Sequence, residues 1–216
     1  MIRMRVLAVA PHTDDLELGC GGTLSRLIRA GCEVAYVAFS IARESVPEGL
    51  PKDVLGSEAR VAAERLGLSP SMIHIHDFPV RRFPSVRQEI LDFLVSFRRQ
   101  VSPDLVLIPS TSDIHQDHAV VCQEAIRAFK RASLLGYELY WNEISTHPFS
   151  SALFVELCEE DVKRKLDSLE AYQSQKIAGR RYMDADLVRS HLRVRGLQAG
   201  VEYAEAFEVI RWVLRA

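Results

Sequence analysis

Short apolar runs alternate along this chain with stretches of helical spacing, and that alternation leaves few folds open. Arg5–Ala10 (RVLAVA), Glu33–Ser40 (EVAYVAFS), Met72–His76 and Asp104–Pro109 (DLVLIP) have the length and near-continuous apolar character of strands buried on both faces. Between them, Thr23–Ala30 can be helical and stops at Gly31. Asp53–Leu66 carries Val54, Ala59, Ala62, Ala63 and Leu66 at helical intervals before Gly67. Val86–Val101 repeats the pattern through Ile90, Leu91, Leu94 and Phe97, and His118–Lys130 is the next helix. Strand–helix–strand order with apolar strands predicts a mostly parallel sheet covered by helices on both faces. Beyond Lys130 the alternation weakens to a strand at Leu153–Leu157, a helix over Asp161–Gln175 and a strand at Phe207–Val213. No linker or repeat interrupts the 216 residues, so one domain over 1–216 is expected, with Ser45–Gly56 as its longest loop.

Composition narrows the function classes. A formal charge of −2 and a pI near 6.4 give no basic excess to draw the chain onto nucleic acid or anionic lipid. No apolar stretch approaches a membrane span. Val6–Ala10 is too short for the core of a secretory signal, and acidic residues follow at once. Cys20, Cys32, Cys122 and Cys158 form no C-x-x-C pair and read as buried thiols of a reducing compartment. The expectation is a cytoplasmic protein.

Ligands of such sheets bind outside the carboxyl ends of the strands, here just after Ala10, Ser40 and Pro109. Two of those ends hold dense polar clusters. The first is Pro11-His12-Thr13-Asp14-Asp15 with Glu17; the second, Ser110–His118, contains Asp113, His115, Asp117 and His118. Alone, the Asp-Asp pair is a turn or cap, and the His-x-Asp-His sequence is capping chemistry at a helix start. Two such clusters at corresponding strand ends are better explained by a shared crevice. His and Asp ligands without Cys suit a catalytic zinc site with one open position, although His/Asp sites also admit Fe2+, Co2+ or Mn2+. The run Gly19-Cys20-Gly21-Gly22-Thr23 lacks the third glycine of a dinucleotide fingerprint, because position 24 is Leu24, and no Lys-Ser/Thr follows it. These glycines are expected to form a tight turn and allow close helix packing. G-x-S-x-G and H-E-x-x-H are absent. His74 and His76 share a strand face, and His147 and His191 stand alone.

The stretch Pro11 to Thr23 resembles the signature P-H-P-D-D-E-x-x-G-x-G-G-T of the PIG-L/LmbE-like zinc-dependent N-deacetylases. His115-Gln116-Asp117-His118 resembles their H-P-D-H block. Weaker similarity runs through Glu58, Ala62-Ala63, Leu66-Gly67, Ser174-Gln175 and Ala204-Glu205-Ala206-Phe207. The resemblance implies a Rossmann-like three-layer α/β sandwich. It implies His12, Asp15 and His118 as the ligands of one zinc ion and Asp14 as general base. His115, protonated, becomes the imidazole that stabilises the developing oxyanion, and Asp117 the carboxylate that orients it. Either Asp14 or His115 then protonates the leaving amine. Thr13 and Gln116 replace prolines, and Leu16 stands where Glu is common. Leu55 stands where an arginine often precedes the third block, so a substrate-gripping arginine is either missing or supplied elsewhere, with Arg43 a candidate.

The substrate implied by the resemblance is a small N-acetylated amino sugar or its conjugate, cleaved to acetate and free amine. Arg43, Trp141, Asn142, Tyr172, Gln175 and Arg195 are the candidate pocket residues, with rings to stack on a sugar and arginines to hold a phosphate. Two rivals remain at this stage: a non-catalytic nucleotide- or sugar-binding module, and a two-metal phosphoesterase. Self-association into a homo-oligomer is also open.

Overall fold

The first apolar run forms β1 (Arg5–His12) and passes almost directly into α1 (Asp15–Arg29) in the computed structural model, which describes residues 4–214. There follow β2 (Glu33–Ser40), α2 (Val54–Leu66), β3 (Ile73–Ile75), α3 (Arg87–Val101), β4 (Leu105–Pro109), α4 (Gln116–Ala128) and β5 (Ser133–Tyr137). The second part of the chain contributes β6 (Leu153–Leu157), α5 (Glu159–Leu169), α6 (Gln173–Ile177), α7 (Ala185–Ala199) and β7 (Tyr203–Arg211). Among the described residues the strands form one seven-stranded sheet in the order β3-β2-β1-β4-β5-β7-β6. Pairing is parallel from β3 through β5, and β7 runs antiparallel between β5 and β6. This is the α/β sandwich expected, with a mostly parallel centre.

Alternation along β1 divides the core in two. Val6, Ala8 and Ala10 face Leu16, Leu24, Ala59 and Leu66 of α1 and α2, whereas Leu7 and Val9 face Ile90, Leu94 and Phe97 of α3 and Val121 and Ala125 of α4. Most of these side chains are wholly buried, and each fully buried leucine contributes about 1.5–3 kcal/mol. Helices on both faces are what make the strands apolar on both sides.

The glycine run departs from expectation. It does not form a turn before a helix starting at Thr23; α1 begins at Asp15 and carries through, broken only by non-helical dihedrals at Cys20 (φ −147°, ψ 19°). A Cβ on Gly19 would stand 2.4 Å from the Tyr137 ring, and one on Gly22 2.5 Å from Leu157, so these glycines allow close packing. The break frees backbone groups that need partners. Glu205 accepts from the N–H groups of Gly22 (3.0 Å) and Thr23 (2.7 Å), and Lys165 donates to the Leu18 carbonyl (2.5 Å) and to Glu205 (2.6 Å).

Four other elements differ from expectation. β5 carries Gly136, which weakens its strand signal, but a Cβ there would meet the Ser110 backbone at 2.9 Å. The helix expected over Asp161–Gln175 divides at 170–172 into α5 and α6, and α7 has no counterpart in the sequence pattern. The last strand begins four residues before Phe207, and ends at Arg211. No described helix is long and apolar enough to cross a membrane. All four cysteines are free, but only Cys20 and Cys122 are buried as expected; Cys32 is half-buried after α1, and Cys158, at the start of α5, is exposed.

Candidate active site

The strand order reverses at β1: β2 and β3 lie to one side, β4 and β5 to the other. The carboxyl ends of β1 and β4 therefore sit side by side at a switch point, and the two polar clusters meet there. His12 ends β1, Asp14 caps α1, Asp15 opens it, His115 caps α4 and His118 lies in its first turn.

Three atoms form a small triangle. His12 Nδ1 is 3.2 Å from His118 Nε2, and Asp15 Oδ2 is 3.4 Å from each of them. Ligands 2.0–2.1 Å from a tetrahedral zinc ion stand about 3.3–3.4 Å apart. The triangle thus has the edge lengths of one face of such a site, leaving the fourth corner open. The backs of both imidazoles are held as metal-bound histidines are usually held: His12 Nε2 lies 3.0 Å from Asp117 Oδ2, and His118 Nδ1 lies 2.7 Å from Asp113 Oδ2. One nitrogen of His115 also lies within 4.8 Å of those of His12 and His118. The tighter triangle, closed by Asp15, is the better cation seat.

The electrostatics express the same demand for a cation. Burial alone lowers the His12 pKa, but hydrogen bonds with Asp117 and Asp15 overcome it and raise it to about 10. Burial likewise works against the Asp15 carboxylate, yet the His118 and His12 rings hold it down at about 2. Asp14 is different. Burial, then the adjacent Asp15 charge, push it up to about 6, where a carboxyl can take and return protons near neutrality.

His115 accepts the Asp117 N–H at Nδ1 (3.2 Å), so the proton of its neutral ring sits on Nε2. Burial and the neighbouring His118 and His12 rings lower its pKa below 6.5. This geometry supports a neutral donor instead of the protonated ring expected from sequence. Asp117 also departs from its expected place. Its carboxylate does not reach round to His115 but accepts from His12 Nε2, the Arg81 N–H (2.6 Å) and the Phe83 N–H (3.2 Å). The reason is helical geometry: at the first turn of α4 only the backbone of Asp117 faces back to the cap residue, while its side chain points towards β1.

A cavity of about 340 Å3 opens over the triangle and is lined by Asp14, Asp15, His115 and, among the candidate pocket residues, Trp141, Asn142 and Gln175. Trp141 stacks on Tyr182 with ring centroids 4.4 Å apart and planes 11° from parallel. Asn142 donates to Asp113 (3.3 Å). Gln175 is almost wholly buried, and its Nε2 has no protein partner. Three candidates fall elsewhere. Arg43 pairs with Asp77 at 2.6 Å. Arg195 is bound to Glu138 behind the pocket wall. Tyr172 is buried and donates, with Tyr36, to the carbonyl of Thr13, fixing the loop between His12 and Asp15. Sequence reading missed Arg81, Arg180 and Tyr182 in the lining and gave Asp113 no role. Asp113 had a signal, lying inside the second cluster; the others lie in irregular segments without a pattern.

The fold and site define a Rossmann-like α/β protein whose switch-point crevice can hold a divalent cation beside acid–base groups. The family model for PIG-L, GlcNAc-PI de-N-acetylase, matches residues 7–129, and the chain belongs to that family. It is 28% identical over 177 residues to the uncharacterized deacetylase YaiS of Escherichia coli, covering 80% of this chain and 92% of that one. It is 30% identical over 125 residues to the diacetylchitobiose deacetylase of Thermococcus kodakarensis, covering 53% of this chain and 45% of that protein. Its fold matches the crystal structure of the conserved protein TT1542 from Thermus thermophilus with a TM-score of 0.80 and 26% identity, over 99% of this chain and 97% of the other. The chain thus stands among deacetylases, enzymes that hydrolyse amides.

Proposed function

We propose that this protein hydrolyses the N-acetyl group of a small amino sugar or glycoconjugate, releasing acetate and the free amine, with one zinc ion held by His12, Asp15 and His118. The observation that carries this reading is the triangle with tetrahedral edge lengths, faced by a carboxyl raised to about 6 at Asp14. A cation bound there supplies Lewis acidity, polarising the amide carbonyl and making water acidic enough to react near neutral pH. Asp14 lines the same cavity and takes the proton of the attacking water. His115 presents its Nε2–H to the carbonyl oxygen as negative charge develops; removal of one such donor typically costs about 10² to 10³ in rate. Asp14, having gained a proton, returns it to the departing nitrogen. His115 is less suited to that step, because its neutral ring would become an anion. Trp141 and Tyr182 offer a flat apolar wall for a sugar face, and the free amide nitrogen of Gln175 offers it a hydrogen bond.

The test is an amine-release assay on N-acetylated sugars with the zinc-loaded protein and its Asp14→Asn variant. The reading expects release by the native chain and a loss of at least about 10² in the variant, with one zinc still bound. Full activity in D14N, or two metals per chain with phosphate-ester cleavage, overturns it.

A further inference from the structure

Two arginines enter the cavity, and neither is among the residues that sequence reading offered for the task. Arg81 follows β3 and Arg180 follows α6; both are exposed and both line the cavity beside Asp14, His12 and His118. Nearby arginines are already committed to carboxylates: Arg43 to Asp77, Arg87 to Glu124, Arg195 to Glu138. Among the described residues, no carboxylate lies within ion-pair distance of Arg81 or Arg180.

Arg81 is also held in an unusual way. Its φ of +63° is left-handed, a conformation that costs a non-glycine residue about 1–2 kcal/mol. Both of its backbone polar groups are tied to the first turn of α4: its N–H donates to Asp117 Oδ2 and its carbonyl accepts from Gln116 Nε2, each at 2.6 Å. Asp117 is the carboxylate behind His12, so the Cα of Arg81 is fixed relative to the cation triangle. Gln116, which stands where the related motif has proline, supplies half of that fixation. Arg180 follows Gly179, itself at φ +68°, and its N–H is bonded to the carbonyl of Gln175, the residue whose side-chain amide is buried without a partner.

We propose that the substrate is anionic: an N-acetylated sugar carrying a phosphate or carboxylate, which Arg81 and Arg180 receive while the acetamide lies at the triangle. Guanidinium forks match both oxyanions in shape and charge, and a neutral sugar would leave both cations without a counter-charge. The proposal rests on the deacetylase reading for the reaction, but its anion preference is measurable without turnover.

The zinc-loaded protein is assayed on methyl N-acetylglucosaminide, on N-acetylglucosamine 1-phosphate, and on an N-acetylglucosaminide whose aglycone ends in a carboxylate. Binding of the three corresponding amines is measured by calorimetry. The expected result is a preference of about tenfold or more for one anionic compound, carried by KM and repeated in amine binding. Which anion is preferred tells phosphate from carboxylate. In Arg180→Gln the ratio of anionic to neutral falls, and in R81Q/R180Q it approaches one. R180Q lies on an exposed turn and keeps the test sound if the double variant melts early. A native ratio near one overturns the proposal, as does a preference that survives in the double variant, since it would then belong to the cation. Anion-selective binding without hydrolysis of any compound sinks the deacetylase reading and leaves the anion site standing.

Discussion

His12 is gripped from both sides, by Asp15 at Nδ1 and Asp117 at Nε2. Without a metal these carboxylates hold a proton on the ring up to about pH 10. The sign of the consequence follows from the raised pKa. Stability from the charged ring is fully present below about pH 6.5 and is lost as pH rises towards 10. The melting temperature of the metal-free protein is therefore expected to fall over that window. Zinc affinity should rise over the same window, because the proton must leave before the metal binds; titration at several pH values with counting of released protons checks both. Asp117→Asn should weaken zinc binding about 10- to 100-fold, as loss of a carboxylate behind a ligating histidine does. If Asp117 served only His115, zinc affinity would not change. The two polar clusters that meet at the switch point were legible in the sequence because each is contiguous and follows a strand. The partner of Asp117 was not, since it depends on where one carboxylate points at the start of a helix.

Helix α1 shows how one element sets the position of the site residue it carries. Its first turn holds Asp15, its break falls at Cys20, and its later turns pack against α5 and the sheet. The buried pair Lys165–Glu205 satisfies the backbone on both sides of the break. Glu205→Gln removes the counter-charge of a buried lysine, which typically costs about 3–5 kcal/mol. A lower denaturation midpoint with weaker zinc binding is expected; zinc binding unchanged at full occupancy of the folded state would show that the break is only a packing feature. Gly19→Ala pushes a methyl into the Tyr137 ring and should destabilise by about 1–3 kcal/mol. The glycines were visible in the sequence, but their purpose was only half legible. A glycine run between a strand and a helix looks like a turn until the neighbours that would collide with a Cβ are known, and those neighbours, Tyr137 and Leu157, lie more than a hundred residues away.

Across the whole molecule, the acid–base groups come from elements before β5 and much of the cavity wall from after it, with Arg81 the charged exception. The triangle, Asp14 and His115 belong to β1, β4 and the helices that follow them, where strand–helix alternation is strong and could be read directly. Trp141, Asn142, Gln175, Arg180 and Tyr182, which wall the cavity, belong to short 3-10 turns, a loop and the five-residue helix α6, all after β5. Glu138 ties α7 to the end of β5. It is buried at the end of β5 and accepts from His191 and Arg195 of α7. Burial alone would raise its pKa, but those two partners lower it below 4.5. A depressed carboxyl contributes stability that is present above its ordinary pKa of about 4.5 and lost as pH falls through the lower folded value. Acid should therefore loosen α7 and the cavity wall before it reaches the sheet. Glu138→Gln should act in the same direction at neutral pH, lowering the unfolding free energy by about 3 kcal/mol, because Arg195 loses its buried partner. If, as proposed, the wall receives the sugar, E138Q should raise KM several-fold with zinc affinity retained, because no residue of the triangle lies on α7. Parallel zinc titration and steady-state kinetics separate these effects. A loss of zinc affinity equal to the rise in KM would show that the wall and the triangle are not independent.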